Sequence, residues 1–135
     1  MDFQITNPEV FHYPDHADGI TLTVQLSAGG HSVEAIAKVD SGAGVCLFSR
    51  EIGVHLGLVV EQGIYIVLNT LSGPLEAFGH EVRLETGRLT LDSFVYFAKY
   101  PGLPRNFLGR QGWLRNVRCG LVDYENMLYL AKYAE

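Results

Sequence analysis

The sequence predicts an all-β fold, a small closed barrel carrying one or two short helices. Two observations predict it. Apolar and polar residues alternate with a period of two over several short segments. Turn-forming residues punctuate those segments, and fifteen glycines supply many tight turns. Short strands joined in this way suit a sheet rolled onto itself.

The elements can be justified in chain order. Ile20-Thr21-Leu22-Thr23-Val24-Gln25-Leu26 alternates cleanly and ends in the turn Ser27-Ala28-Gly29-Gly30. A second strand, Ser32 to Val39, delivers Asp40 at its end. Ser49 is placed to cap a short helix from Arg50 to Leu56, with Gly57 closing it. Ile64 to Leu68 is a β-rich run, and Leu71-Ser72-Gly73-Pro74 interrupts it with turn chemistry. His80 to Glu85 alternates again, Thr86-Gly87-Arg88 turns, and Leu89 to Phe97 forms a further strand. The two prolines of Tyr100-Pro101-Gly102-Leu103-Pro104 exclude both helix and central strand. Gly109 to Leu114 reads as a short helix, and Val117 to Val122 with Met127 to Leu130 as a closing hairpin. No repeat or linker divides the chain, so residues 1–135 are expected to form one domain.

Composition narrows the function classes. At 47% apolar and 19% charged residues, the chain is expected to fold and be soluble. A net charge of −5 argues against nucleic-acid binding, which requires clustered Lys and Arg; the densest basic group is Arg110, Arg115 and Arg118. No apolar run approaches the roughly 20 residues of a membrane helix, and Met1 to Gln4 lacks secretory-signal character. Cys46 and Cys119 lack metal-ligand spacing and read as small core residues, with a cytoplasmic location as the default. Among the five histidines only His12 and His16 share a helical spacing, and Pro14 breaks it, so neither a metal nor a cofactor is expected. No Gly-x-Ser-x-Gly nucleophile motif is present.

The chemistry concentrates at Asp40-Ser41-Gly42-Ala43. The turn lies between apolar strand-like segments, where a surface loop would have more polar flanks. Peptide bonds can be hydrolysed without a covalent intermediate when two carboxylates share a proton and flank one water. Such a pair titrates as a unit. This chain has a single Asp-Ser-Gly turn, so a pair requires two copies of the chain related by a two-fold axis.

Asp40-Ser41-Gly42-Ala43 at a strand end, with Asn106-Phe107-Leu108-Gly109-Arg110 far downstream, resembles the retropepsin-like aspartic proteases. These are half-size enzymes active only as dimers. The resemblance runs from about Val24 to Leu130, and Leu-Gly-Arg-x-Gly-Trp-Leu followed by a Tyr-rich hairpin is closer to bacterial or cellular members than to viral ones. It implies an acid-protease barrel, a homodimer and a peptide or protein substrate. Asp40 would be the catalytic acid, with Ser41 bracing the two loops across the axis, Gly42 directing an amide to the carboxylates, and Ala43 leaving room for substrate backbone. Phe107, Leu108, Gly109 and Arg110 would form the strand that crosses behind the catalytic loop. Leu71, Ser72, Gly73 and Leu75 would belong to a hairpin that lowers over the substrate.

The sequence also departs from that family. Gly44 stands where viral members carry an acid that pairs with the arginine of the Gly-Arg motif, so Arg110 lacks that partner. Pro74 replaces a glycine-rich tip. Phe3-Gln4-Ile5 and Met127 to Leu130 are the candidate terminal strands, and neither obviously reproduces an intertwined dimer sheet. A catalytically silent dimerisation or peptide-binding module is therefore the alternative reading, followed by a ligand-binding barrel unrelated to proteolysis.

Overall fold

The computed structural model describes residues 4–15 and 19–133. Ten strands and one α-helix are present among them. Six strands close a barrel in the order β2 (Thr21–Ala28), β3 (His31–Val39), β8 (Asn106–Leu108), β4 (Leu47–Phe48), β7 (Leu89–Ala98) and β6 (Gly73–Thr86). The circuit closes where Gln25, Leu26 and Ser27 of β2 pair with Glu85, Leu84 and Arg83 of β6. Closure leaves the wall without a free hydrogen-bonding edge at that seam.

Alternation decides which side chains face inward. Leu22, Val24 and Leu26 of β2 are buried while Thr23 and Gln25 between them are exposed. Val82 and Leu84 of β6 and Val95 and Phe97 of β7 meet them in the interior. Trp113, Phe48 and Leu108 complete the centre, each fully buried. The Trp113 indole nitrogen donates to the Thr86 hydroxyl at 3.3 Å, which satisfies the polar atom this packing buries.

Helix α1 (Arg50–His55) forms where the sequence places it. Ser49 is its N-cap, its hydroxyl accepting from the Ile52 amide at 3.4 Å, and Gly57 follows its C-cap, Leu56. That bond is long, so Ser49→Ala should cost about 0.5–1 kcal/mol, readable as a small drop in denaturant midpoint with an unchanged slope. A 3₁₀ turn, Val60–Gln62, precedes β5 (Ile64–Thr70), and β5 and β6 form a hairpin around Leu71 and Ser72. Gly73 closes that turn at φ +110°, a conformation that favours glycine. Pro74 lies inside β6 opposite Asn69, so the turn is shorter than the four residues expected. His80 to Glu85 continues the same strand.

The helix expected at residues 109–114 does not form. The amides of Arg110 and Gln111 donate to the Ala43 and Gly44 carbonyls, both at 2.9 Å, and Gln111 forms a parallel bridge with Val45, which holds this segment against the loop in a non-helical conformation. Gly112 then adopts φ +97°, which breaks any helical run. The chain recovers only as a 3₁₀ turn, Leu114–Asn116.

A second, three-stranded antiparallel sheet joins the ends of the described chain in the order β1 (Glu9–His12), β10 (Met127–Lys132) and β9 (Val117–Val122). The closing hairpin is where the sequence puts it. The N-terminal strand lies at Glu9–His12, and Gln4 and Ile5 form no strand; Phe3 lies outside the described residues. Asn7, at φ +49°, and Pro8 turn the chain between them. The Tyr13 hydroxyl donates to the Asp123 carboxylate and fastens β1 to the turn before β10. Burial, reinforced by that carboxylate, pushes the phenol up to about 12, so it remains a donor at neutral pH.

Candidate active site

Asp40 stands at the first residue after β3, and its position follows from the strand pairing around it. β3 runs parallel to β8, pairing Val39 with Leu108, and the Asp40 amide donates to the Leu108 carbonyl at 3.0 Å. On its other side β8 runs antiparallel to β4, pairing Phe107 with Leu47. The chain between β3 and β4, which carries Asp40 to Cys46, therefore loops over β8. Asp40 Oδ1 accepts from the Gly42 amide at 2.9 Å, fixing the carboxylate against its own turn.

Phe107, Leu108, Gly109 and Arg110 cross behind this loop. A Cβ on Gly109 would lie 2.1 Å from the Val45 carbonyl oxygen and 2.7 Å from that of Ala43, so only glycine allows the two backbones this approach. The Arg110 and Gln111 amides bind the loop from beneath, and Val45 bridges Gln111. Cys46 is fully buried just beyond, its thiol facing the Gln111 carbonyl at 3.5 Å. Burial pushes that thiol up to about 11, which leaves it neutral and removes it as a nucleophile. Cys119 is half-buried against the core, and both thiols are free. Arg110 is exposed and pairs with no carboxylate among the described residues.

A cleft of about 550 Å³ opens above Asp40, within the usual range for ligand sites. Gly42, Ala43 and Gly44 form its floor with Asp40, and Leu71 and Ser72 of the hairpin tip form its roof. Leu71 is fully exposed and projects from the tip. Ser41 is exposed beside the cleft and its hydroxyl bonds to no described residue of its own chain. Gly73 and Leu75 lie elsewhere, lining a smaller cleft of about 310 Å³ between the hairpin and the Tyr100–Pro104 loop.

Sequence reasoning missed the apolar walls of the Asp40 cleft: Val45, Leu47, Leu68 and Phe107, with Asn69 and Thr70 beside them. Leu68 to Thr70 precede the turn immediately, so the hairpin assignment contained that signal. Val45 and Leu47 carried none beyond their nearness to Asp40. A more voluminous concavity, about 910 Å³, lies over β6, β7 and the Gln111–Gly112 turn. It is a shallow trough whose charged pair, Arg83 and Asp92, is exposed and joined at 3.4 Å, and it lacks the carboxylate-on-amide arrangement of the Asp40 turn.

A carboxylate presented on a Gly-containing loop, with a parallel strand threaded beneath it and a hairpin above it, decides the comparison with known folds. The chain has the retropepsin fold. It is similar to a retropepsin-like aspartic protease from Rickettsia conorii, with 16% identity over 93% of this chain and 99% of that one and a TM-score of 0.65. It is also similar to the EIAV protease solved with the inhibitor HBY-793, with 16% identity over 72% of this chain and 86% of that one and a TM-score of 0.55. No family model and no curated protein sequence matches the chain. The retropepsin likeness is thus one of backbone architecture.

Proposed function

We propose that the protein is an aspartic endopeptidase that works as a homodimer, with Asp40 of each subunit flanking one water. The observation that carries the reading is the Asp40 carboxylate, held on the Gly42 amide at the floor of a cleft roofed by Leu71 and Ser72. The retropepsin fold supports it.

One carboxylate takes a proton from the water as its oxygen attacks the scissile carbonyl carbon. The other, protonated, gives its proton to the carbonyl oxygen, and a neutral geminal diol forms. In the collapse the first carboxyl gives its proton to the amide nitrogen, the second carboxylate takes one from a diol hydroxyl, and the C–N bond breaks, which returns the pair to one shared proton. Ser41, exposed beside the cleft, is available to brace the partner loop, and Ala43 leaves space for the substrate backbone. Val45, Leu47, Leu68 and Phe107 favour apolar side chains next to the cleaved bond. The free thiols of Cys46 and Cys119 support a reducing compartment such as the cytoplasm.

The test is cleavage of a mixed peptide library between about pH 3 and 7, with an acidic optimum expected from a dyad that needs one proton. Specific activity should rise with chain concentration until the dimer saturates, in parallel with sedimentation. Activity independent of concentration in a monomer would overturn the dimer. One observation favours a silent peptide-binding module instead: Arg110 is left to solvent beside Gly44. Well-folded dimers that cleave nothing across the library would select that reading.

A further inference from the structure

The β5–β6 hairpin leaves the barrel at one residue. β6 pairs with β7 from Ala77 onward, and the last rung is the Lys99 amide donating to the Glu76 carbonyl at 3.0 Å. Beyond Glu76 towards the tip, β6 is paired only with β5. Whatever holds Glu76 therefore holds the hinge of the hairpin.

Its side chain is the centre of a polar cluster. Glu76 Oε2 accepts from Lys99 Nζ at 3.1 Å and from the Tyr65 hydroxyl of β5 at 3.0 Å. Lys99 Nζ also lies 5.2 Å from the ring centre of Tyr100, which opens the Tyr100–Pro104 loop. Behind Lys99, its carbonyl accepts from Arg50 of α1 at 2.8 Å, and Arg50 grips Glu61 through two bonds of 2.6 and 2.8 Å. The cluster thus joins the hinge to a braced part of the barrel wall.

We propose that Glu76 is a positioning residue, which sets the height of the Leu71–Ser72 tip above Asp40 by latching β6 to Lys99 of the barrel and to Tyr65 of β5 within the hairpin. That the hairpin is a substrate lid rests on the peptidase reading; the latch itself does not. Lys99, then Tyr65, hold the Glu76 carboxyl below its ordinary range, and Glu76 in turn raises both Lys99 and Tyr65. A carboxyl with a lowered folded value contributes above its unfolded value and loses the contribution as pH falls through the folded one. Lys99 and Tyr65 contribute below their unfolded values and lose it as pH rises through their folded ones. The latch is therefore complete from mildly acidic to mildly alkaline pH and opens only in strong acid or strong alkali. Glu61, Arg50 and Tyr100 are the other titratable groups that face it.

The test is amide hydrogen exchange on the full chain, comparing wild type with Glu76→Gln, Lys99→Met and the exchanged pair Glu76→Lys/Lys99→Glu. Glutamine keeps the shape and an acceptor for Tyr65, so a merely structural role would not move exchange. Exchange across residues 64–75 is expected to be about threefold faster in each single variant and largely restored in the exchanged pair. Where cleavage is measured, KM should rise with kcat little changed. Wild-type protection in Glu76→Gln overturns the latch even if peptides are cleaved. Faster hairpin exchange in a chain that cleaves nothing supports the latch and removes the peptidase reading alone.

Discussion

Replacing Asp40 with asparagine should lower peptide cleavage by about a thousandfold or more while leaving the fold intact. Asparagine has nearly the shape of aspartate, and its amide oxygen can still accept from the Gly42 amide, the bond that Asp40 Oδ1 makes at 2.9 Å. What it cannot do is take a proton from water or hold one for the carbonyl oxygen. A half-buried position with one such bond contributes little to stability that asparagine would not replace. Unfolding curves and sedimentation of the two proteins should therefore coincide while their rates diverge. Full cleavage by Asp40→Asn would sink the aspartic mechanism.

Gly109→Ala should destabilise the chain by about 3 kcal/mol, measured as a shift in denaturant midpoint. The added methyl would meet the carbonyl oxygens of Val45 and Ala43 and the Val45 carbonyl carbon, at 2.1, 2.7 and 2.7 Å. These are backbone atoms, so no side-chain rotation relieves the clash. Relief requires the loop carrying Asp40 to lift off β8, stretching the 2.9 Å bonds from Arg110 and Gln111. Activity should accordingly fall further than the folded fraction does. Gly44 provides the contrast within the same loop: a Cβ there meets nothing within 4 Å, so Gly44→Ala should stay within about 0.5 kcal/mol of wild type. Equal effects at the two positions would mean that the Gly109 contact does not limit the packing.

The long alternating strands were legible because their interior faces one core: β2 and β7 bury every second residue for most of their length, and β3 does so at Ala35 and Ala37. Helix α1 was legible through its cap at Ser49 and its terminator at Gly57. Residues 109–114 are not helical because Gln111 bridges Val45 and Gly112 takes φ +97°, tertiary demands that no local window displays. β1 escaped notice because Glu9-Val10-Phe11-His12 is short and flanked by Pro8 and Pro14; only β10 makes it a strand. At the site, the Asp-Ser-Gly turn stood out through its place between two apolar strands and its resemblance to the retropepsin-like pattern. Its apolar walls did not, because Val45, Leu68 and Phe107 are brought together only by the crossing of β8 beneath the loop and the fold-over of β5.

The terminal sheet has a thermodynamic consequence. β10 is paired on both sides by strands of its own chain, with four residues matched on β1 and six on β9. A subunit that completes this sheet internally gives no strand of it to a neighbour. Folding and association then become separable equilibria, in contrast to an obligate dimer whose subunits have no stable existence alone. The melting point should fall on dilution only to a plateau set by the folded monomer, so that a chain that cleaves only as a dimer can persist folded and silent until its concentration rises.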